Sequence, residues 1–356
     1  NNYIEMNGVF YWDLPYLYDQ LKKGFLAFKQ ADVGELDCFG IDTWGVDYGL
    51  LDKNDQLLSN PRSYRLSLDA DMDAAHAVVP FPTLFARSGI TQANFNTLYQ
   101  LYRRKREGDP ALENAETMLL MPDLLGFFLT GEKKSEYTEV TTTMLYDPAA
   151  RDWDWRTIRD FGLPGKMFTP IDRAGMLRGK LRPELAAELG INQAHFAAVG
   201  THDTASALAA IPGTGSFAFC SSGTWSLFGV ETDHPILTDA VRDAGFSNEG
   251  NAQGGFCPLS NIMGLWLIQE CRRQWQKQSG PIGWDEIVAQ AQQAEPFRTV
   301  IDPCYGEFFA GGRMIEKIQA FARRTGQPEP QSIGQIARCI YESLALKYRW
   351  ALERLE

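Results

Sequence analysis

Several features that mark common protein classes are missing from this chain of 356 residues. No uninterrupted apolar run has the length that a membrane-spanning helix needs, so we predict neither a membrane span nor a membrane partner. Lysine and arginine number 34 against 45 aspartates and glutamates, which gives a formal net charge of −11. Because no basic face offsets repulsion by phosphate backbones, the sequence also predicts no nucleic-acid partner.

Cysteine and histidine are sparse as well. The six cysteines are scattered without a C-x-x-C pair, and the four histidines have no metal-ligand spacing. This pattern argues against a zinc site. The first residues of the sequence have neither the basic start nor the apolar core of a signal peptide. We therefore expect a cytoplasmic protein whose reduced, mostly buried thiols are Cys38, Cys220, Cys257, Cys271, Cys304 and Cys339.

Two catalytic motifs are also absent. The chain has no G-x-x-x-x-G-K-[ST] loop, which excludes the commonest nucleotide-binding fold. It has no G-x-S-x-G elbow either, so a Ser/His/Asp hydrolase is poorly supported. Any phosphate chemistry must therefore depend on another kind of loop.

The order of strands and helices indicates an α/β protein with two domains. The length exceeds that at which a single core usually stops growing, and both halves offer a strand–turn–strand hairpin followed later by a helix. Asp13 followed by Pro15 is typical of a helix start. The apolar segments 118–131 and 260–276 predict two further helices, and a periodic stripe after Ser332 predicts a final one.

The segment Gly200-Thr-His-Asp-Thr-Ala-Ser-Ala207 contains the sharpest candidate for chemistry. Asp203 follows an apolar strand and precedes small residues that read as a helix start. It is either a carboxylate that deprotonates a substrate hydroxyl or an N-cap for the following helix, and both interpretations stay open at this point. His202 beside it either donates to a substrate oxygen or is a satisfied histidine near the core.

The segment Ser221-Ser-Gly-Thr-Trp-Ser226 lies between two apolar strands and predicts a tight hairpin. Its tip would expose backbone N–H groups and hydroxyls, which suit a phosphate, although an ordinary glycine turn has the same pattern. Together, the two segments predict a site in which one element deprotonates a hydroxyl and the other holds the phosphoryl group.

A third candidate is the bend that contains Trp44 and Gly45. Glycine allows the backbone to approach a ligand closely, and the indole offers a flat apolar face. Trp44 is equally well explained as a core aromatic residue. The threonine run 141–143 is open to two interpretations, a sugar-facing surface or ordinary strand and turn chemistry.

Taken in order, a series of motifs resembles the rhamnulokinase branch of the FGGY carbohydrate kinase family. The similarity extends over nearly the whole chain. The motifs are Gly40-Ile-Asp-Thr-Trp-Gly-Val-Asp47, Arg87-Ser-Gly-Ile90, Phe95-Asn-Thr-Leu-Tyr-Gln100, Leu120-Met-Pro-Asp123, Glu136-Tyr-Thr138, Thr201-His-Asp-Thr-Ala-Ser-Ala207, Ser221-Ser-Gly-Thr-Trp-Ser226 and Asn261-Ile-Met-Gly-Leu-Trp266.

The resemblance implies two ribonuclease-H-like α/β domains of the actin/hexokinase type on either side of a cleft. Residues 1–208 would bind the sugar and residues 209–356 the nucleotide. The implied activity is ATP-dependent phosphorylation of the 1-hydroxyl of L-rhamnulose in rhamnose breakdown. The alternatives are another FGGY ketose kinase, such as one for fuculose, and a catalytically silent sugar-binding relative.

The resemblance also assigns site residues. Asp203 would be the proton acceptor, with Gly45, His202, Thr204 and Trp44 on the substrate. Gly223, Thr224, Asn261 and Gln269 would bind ATP, the last two from the start of one helix. Mg²⁺ would bridge the phosphates, with Asp42 only a possible ligand, and the sequence leaves the oligomeric state open.

Two family segments are not found in this sequence. The family begins with a D-x-G-x-[ST]-[ST]-G-R hairpin that binds phosphates and has a late G-G-G segment under the adenine. We therefore expect an internal portion of such a kinase, with both domains incomplete. By itself this portion would bind ATP weakly or not at all.

Overall fold

The computed structural model describes residues 3–65, 68–213 and 215–355. They form two compact units, each with strands and helices, as predicted for an α/β chain. The first unit combines the described part of Asn1–Gly213 with Glu231–Pro258, and the second combines the described part of Thr214–Val230 with Leu259–Glu356. The expected functional boundary between residues 208 and 209 stays a prediction.

Most strands are short. In chain order they are β1 Tyr3–Met6, β2 Val9–Trp12, β3 Cys38–Phe39, β4 Tyr48–Leu51, β5 Thr117–Leu120, β6 Ser135–Glu136, β7 Tyr146–Asp147, β8 Asp152–Trp153, β9 Ile171–Asp172, β10 Leu177–Lys180, β11 His195–Ala197, β12 Ala218–Ser222, β13 Trp225–Val230, β14 Phe246–Gly250 and β15 Phe256–Met263.

The helices are longer on average than the strands. They are α1 Leu14–Gln30, α2 Asp69–Val78, α3 Phe81–Ser88, α4 Thr97–Arg106, α5 Pro110–Glu113, α6 Met121–Thr130, α7 Tyr137–Thr141, α8 Trp155–Asp160, α9 Pro183–Leu189, α10 Asp203–Ala209, α11 Asp239–Asp243, α12 Trp266–Ser279, α13 Trp284–Gln293, α14 Met314–Arg324 and α15 Ile333–Leu355. Single turns of 3₁₀ helix lie at Gly165–Met167 and Gly306–Phe308.

The predicted start of the first helix is confirmed. The Asp13 carboxylate accepts a hydrogen bond of 3.1 Å from the Tyr16 amide, and a proline stands in the first turn of α1. This amide has no partner within the helix, so the cap fixes where α1 begins.

The strands β3 and β11 position the candidate acid in the first unit. They pair in parallel, with His195 opposite Cys38, and β10 pairs antiparallel with the other side of β11. Beyond them, an isolated parallel bridge joins Thr43 to His202. Because the carboxyl ends of parallel strands meet at one edge of a sheet, the chain segments that follow β3 and β11 lie side by side.

The segment 118–131 is only partly the helix that its apolar composition predicts. Its first residues belong to β5, which pairs antiparallel with β4 so that Leu120 faces Tyr48. The helix α6 starts at Met121 and ends at Gly131, whose φ of 90° is left-handed. A buried strand and a buried helix have the same apolar composition, and Pro122 in the first turn was the signal for the boundary.

The segment 260–276 shows the same error. Residues up to Met263 belong to β15, where Asn261 pairs with Leu227 of β13. The helix α12 begins only at Trp266. The prediction that Asn261 and Gln269 share a helix start is therefore wrong, because they lie on a strand and a helix.

The second unit contains the predicted hairpin. β12 and β13 pair antiparallel, with Ser222 opposite Ser226, and β15 pairs with the other edge of β13. The long helix α15 packs on β13, where Phe228 stacks on Tyr348 with ring centroids 5.8 Å apart. The Ser226 and Tyr348 hydroxyls are 2.6 Å apart. The hairpin is therefore supported by a helix on one face.

The six cysteines are free thiols, as expected. Cys257, Cys271 and Cys339 are buried and Cys304 is half-buried, whereas Cys38 and Cys220 are exposed. Within residues 3–65, 68–213 and 215–355, no helix has the length and apolarity to cross a membrane.

Candidate functional site

The candidate acid lies at the first residue of α10. The Asp203 side chain is 58% exposed, and its Oδ1 atom is 3.4 Å from the Thr204 hydroxyl and 3.7 Å from Nε2 of His202. The N-cap position belongs to His202, and no side-chain capping bond forms there among the described residues. The alternative that Asp203 caps the helix is therefore wrong, and its carboxylate is open to a ligand.

The acid loop, residues Thr201–Asp203, is held by a buried glutamate. Oε2 of Glu136 accepts hydrogen bonds from the Thr201 amide at 3.2 Å and the Thr201 hydroxyl at 2.8 Å. It also accepts from the amide of Thr138 at 2.9 Å and from its hydroxyl. Glu136 is completely buried, and burial raises its pKa although these hydrogen bonds lower it.

Backbone hydrogen bonds join the acid loop to the bend after β3. The Thr43 amide donates to the Thr201 carbonyl at 2.9 Å, and the Asp203 amide donates to the Thr43 carbonyl at 2.8 Å. The structure thus brings Trp44 and Gly45 beside Asp203, although they are about 160 positions apart in the sequence.

The conformation of the bend depends on Val46 rather than on Gly45. Val46 has a left-handed φ of 69°, which is rare for a β-branched residue. Its amide donates to the Thr142 hydroxyl at 3.1 Å, and its carbonyl accepts from the Thr97 hydroxyl at 2.6 Å. Packing also favours glycine at position 45, since a Cβ there would lie 3.1–3.3 Å from side-chain atoms of Thr142, which is a tight contact. Strain held by such bonds is common at functional sites.

Trp44 is half-buried and forms part of an aromatic pair. Its ring lies 4.0 Å from that of Trp12, and both indole N–H groups donate to Oδ2 of Asp47, at 3.0 Å from Trp44 and 2.6 Å from Trp12. Gln100 donates to Oδ1 of the same carboxylate at 3.0 Å. Burial raises the pKa of Asp47 to about 6 against the effect of these bonds. Asp47 therefore fixes the indole orientation.

The threonine run 141–143 has a structural role. Thr141 accepts the Gly250 amide at 2.7 Å, Thr142 accepts the Val46 amide, and Thr143 donates to the Val140 carbonyl. All three side chains are buried. Of the two interpretations in the sequence analysis, the one without a sugar contact fits these bonds.

A second buried glutamate, Glu139, lies on α7, three residues after Glu136 of β6. Neither carboxylate oxygen of Glu139 finds a hydrogen-bond partner in the part of the chain that the structure describes. Burial raises its pKa well above the ordinary value, and the charges of Asp123, Glu136 and Asp203 add to this. The sequence predicts no separate role for Glu136, which lies in the motif Glu136-Tyr-Thr138, or for Glu139, which follows that motif directly.

The hairpin tip, residues Ser222–Thr224, is exposed. The carbonyl of Gly223 accepts the Leu265 amide at 2.8 Å, and the carbonyl of Thr224 accepts the amides of Gly264 and Trp266 at 3.1 and 3.2 Å. The tip is thus tied to the first turn of α12 while the Thr224 side chain points outward. A Cβ at Gly223 would meet only Trp225 O, at 3.6 Å, so space beside the tip is open.

The other two residues assigned to ATP lie on different elements of the second unit. Asn261 is exposed on β15, and Gln269 is half-buried in the first turn of α12. Gln269 lines a cavity of about 180 Å³ together with Arg272, Arg273, Gln276 and Trp284. Gln269 therefore borders a basic and aromatic surface.

The two units expose different chemical groups at these positions. The first carries an open carboxylate on a backbone fixed by buried acids, and the second carries an exposed loop of small and hydroxyl residues. The described residues contain no cluster of three or more His, Cys, Asp or Glu side chains that fits a metal ion. A protein cage for a divalent metal is thus not found in this part of the chain.

Comparison with known families assigns the class. Residues 4–210 match the N-terminal domain of the FGGY family of carbohydrate kinases, and residues 218–356 match its C-terminal domain. The chain therefore belongs to the FGGY family of carbohydrate kinases, which use ATP and a divalent metal. It is a sugar kinase, as its motifs predicted.

Within that family, the chain is similar to curated rhamnulokinases. It is 38% identical to the rhamnulokinase of Bacteroides thetaiotaomicron, and the alignment covers 100% of this chain and 73% of the relative. It is 34% identical to that of Bacillus subtilis, with coverage of 100% and 72%. The predicted resemblance to this branch is confirmed.

Solved structures support the fold. A ligand-bound xylulose kinase from Lactobacillus acidophilus matches with a TM-score of 0.81 at 14% identity, covering 99% of this chain and 71% of that one. Plasmodium falciparum glycerol kinase with ADP matches with a TM-score of 0.73 at 14% identity, covering 100% and 72%. The predicted ribonuclease-H-like α/β fold is confirmed.

Proposed function

We propose that this protein transfers the γ-phosphoryl group of ATP to the 1-hydroxyl of L-rhamnulose in rhamnose breakdown. The observation that carries the proposal is the open Asp203 carboxylate on a loop fixed by Glu136, within a chain 34–38% identical to several rhamnulokinases.

Asp203 is the proposed general base. It accepts the proton of the sugar hydroxyl as the hydroxyl oxygen bonds to phosphorus. When bound, ATP supplies the phosphoryl group, and the bond to ADP breaks as the bond to the sugar oxygen forms. The Asp203 carboxylate is suited to this because, among the described residues, the contacts of its Oδ1 with Thr204 and His202 are long, at 3.4 and 3.7 Å.

The remaining residues of the first unit hold the sugar in this proposal. His202 and Thr204 flank the base and bind sugar oxygens, the Gly45 backbone contacts the sugar, and Trp44 offers its indole face. Backbone bonds between Thr43 and the acid loop support this assignment, since they place all four beside Asp203. Orientation of this kind contributes much of the rate enhancement in phosphoryl transfer.

The second unit is proposed to hold ATP through Gly223, Thr224, Asn261 and Gln269. Support comes from the exposed tip and from the basic surface beside Gln269. The divalent metal is proposed to be Mg²⁺. The chain offers it no cage in its described part, and Asp42, which is exposed, stays the only residue considered as a ligand. A cytoplasmic location, where ATP is plentiful, is part of the proposal.

The Asp203→Asn variant of the full-length gene product tests the base. We expect kcat to fall by roughly 10³-fold or more because the amide cannot accept the proton, at the upper end of general-base effects. Titration of the ketose into the variant should give an affinity close to that of the wild type. Unchanged turnover would exclude Asp203 as the base.

A ketose panel tests the substrate. Wild-type protein with Mg-ATP is assayed on L-rhamnulose, fuculose and xylulose, and kcat/KM is compared. We expect the highest value for L-rhamnulose. A clear preference for fuculose or xylulose would replace the substrate, and binding without turnover on every sugar would indicate a catalytically silent relative.

A further inference from the structure

The inference concerns Glu249 of β14, a buried acid next to the candidate base pair in the first unit. Its Oε2 atom lies 3.3 Å from Nδ1 of His202. On the opposite edge of the same ring, Nε2 lies 3.7 Å from Oδ1 of Asp203. The imidazole thus stands between a buried carboxylate and an open one.

Among the described residues, the close polar contact of Glu249 through Oε2 is with the His202 ring. Its Oε2 atom, like Nδ1 of His202, is buried and makes no hydrogen bond of good geometry within the described residues. The strand itself is held by neighbours, since Asn248 donates to the Gly89 carbonyl and the Gly250 amide donates to Thr141. A buried carboxylate oxygen without a hydrogen bond is costly, so a purely structural strand position would favour an apolar residue.

The His202 backbone is held by a hydrogen bond, so the orientation and the tautomer of the ring are what its neighbours can change. The His202 amide donates to the Thr138 hydroxyl at 3.1 Å, and this bond holds the main chain from which the ring extends. Which ring nitrogen of a neutral histidine carries the proton is set by the partner of the other nitrogen. A carboxylate beside Nδ1 favours a proton on Nδ1, and Nε2 is then presented toward Asp203.

We propose that Glu249 is a positioning residue, which orients the His202 ring and selects its tautomer beside the base Asp203. This rests on the proposed kinase function. Glu249 touches neither substrate nor base in this proposal, and its effect on turnover passes through His202.

The test is a double-mutant cycle in the full-length protein, measured on the ketose that the wild type phosphorylates fastest. Glu249→Gln should lower kcat by roughly 10- to 100-fold, the range seen when partners that orient ligating histidines are removed. KM for the ketose should change by less than about threefold, because the lost effect is on the transition state.

The double-mutant cycle between Glu249 and His202 tests whether Glu249 acts through the His202 ring. Adding Glu249→Gln to a His202→Asn variant should give no further loss of kcat, because the ring through which it acts is gone. Additive losses would overturn the proposal, and so would wild-type kcat in the single Glu249→Gln variant. Wild-type protein without any ketose kinase activity would overturn the proposed function as well.

Two further variants keep the test sharp if Glu249→Gln folds poorly. Glu249→Asp retains the buried charge but withdraws the carboxylate from Nδ1, so kcat should fall here too, and wild-type kcat would contradict the proposal. Glu231→Gln is the matched control. It removes an exposed acid of the same unit whose Oε1 accepts from Asn251 at 3.1 Å, and it should leave kcat unchanged.

Discussion

The acid loop and the hairpin tip are built in opposite ways. The acid loop is fixed by a buried carboxylate, since Glu136 accepts hydrogen bonds from both the amide and the hydroxyl of Thr201. The tip is held by main-chain bonds within the hairpin and to residues 264–266 at the start of α12, and its side chains are exposed. One is preorganised by buried polar groups, and the other depends on close backbone contact.

The difference matches the chemistry proposed for each. A base must be held in one geometry relative to a small sugar, and buried charge-assisted hydrogen bonds give that rigidity at a cost in stability. A phosphate is bound by many small contacts, and a loop of glycine and hydroxyl residues presents these without buried charge. Changes that remove buried support should therefore damage the first unit more than the second.

The largest effect is expected for Glu136→Ala. It leaves the amides and hydroxyls of Thr138 and Thr201 without their acceptor, so the free energy of unfolding should fall by roughly 3 kcal/mol or more, and kcat should fall with it. Differential scanning calorimetry and a kinase assay measure both.

Glu136→Gln is the matched variant for this prediction. Only Oε2 accepts these bonds, whereas Oε1 has no partner among the described residues. The glutamine carbonyl can take the place of Oε2, so stability should stay within about 1 kcal/mol of wild type. Equal losses in the Ala and Gln variants would show that charge, and not the acceptor geometry, supports the acid loop.

An intermediate effect is expected for Gly264→Ala in the second unit. A Cβ there would lie 2.5 Å from the Ser226 hydroxyl and 2.8 Å from the Gly223 carbonyl, so the tip must move away from α12. Overpacking of this kind costs about 2 kcal/mol, and KM for ATP should rise at the same time.

Gly223→Ala is the comparison for this change, since its Cβ meets only Trp225 O, at an ordinary distance of 3.6 Å. Its unfolding free energy should stay within about 0.5 kcal/mol of wild type. Urea titration and ATP kinetics distinguish the pair. If Gly264→Ala binds ATP normally, attachment of the tip to α12 is irrelevant to the nucleotide.

The smallest effect is expected for Glu139→Gln, and it depends on pH. Burial raises the pKa of Glu139 in the folded chain, so between the ordinary and the raised value the folded state binds more protons than the unfolded state. Unfolding free energy therefore falls as pH rises through this window. Glutamine cannot ionise, and the variant should be more stable by about 1 kcal/mol at pH 7 to 8.

Melting temperatures measured from pH 5 to pH 8 check this prediction. The difference between Glu139→Gln and wild type should widen toward high pH. Glu113→Gln, at the exposed end of α5, serves as the control and should follow the wild-type curve. Parallel curves for Glu139→Gln and wild type would mean that Glu139 does not titrate in this window.

Local signals predicted much of the fold. Asp13 with Pro15 marked the start of α1, and the apolar runs on either side of Ser221–Ser226 marked the hairpin. The errors at 118–120 and 260–263 have one cause. Both segments are apolar strands that are followed closely by a helix. Their conformation is determined by pairing with β4 and β13, and these partner strands are remote in sequence.

The sequence motifs alone predict that Asp203, Trp44 and Gly45 belong to one substrate site. Their supports were not predictable in the same way. Glu249 became a neighbour of His202 only through tertiary packing, and the strain at Val46 has no sequence signal because valine rarely adopts a positive φ.

The main-chain bonds between the tip and the start of α12 couple the positions of these two elements. The helix has 14 residues and is therefore about 21 Å long, and the tip is attached at its N-terminal end. A ligand that moves the tip therefore pulls on the residues at the start of α12 through these main-chain bonds. Arg272, halfway along α12, stacks over Trp284 of α13 at 4.5 Å, so we expect occupancy of the tip to change the fluorescence of this indole.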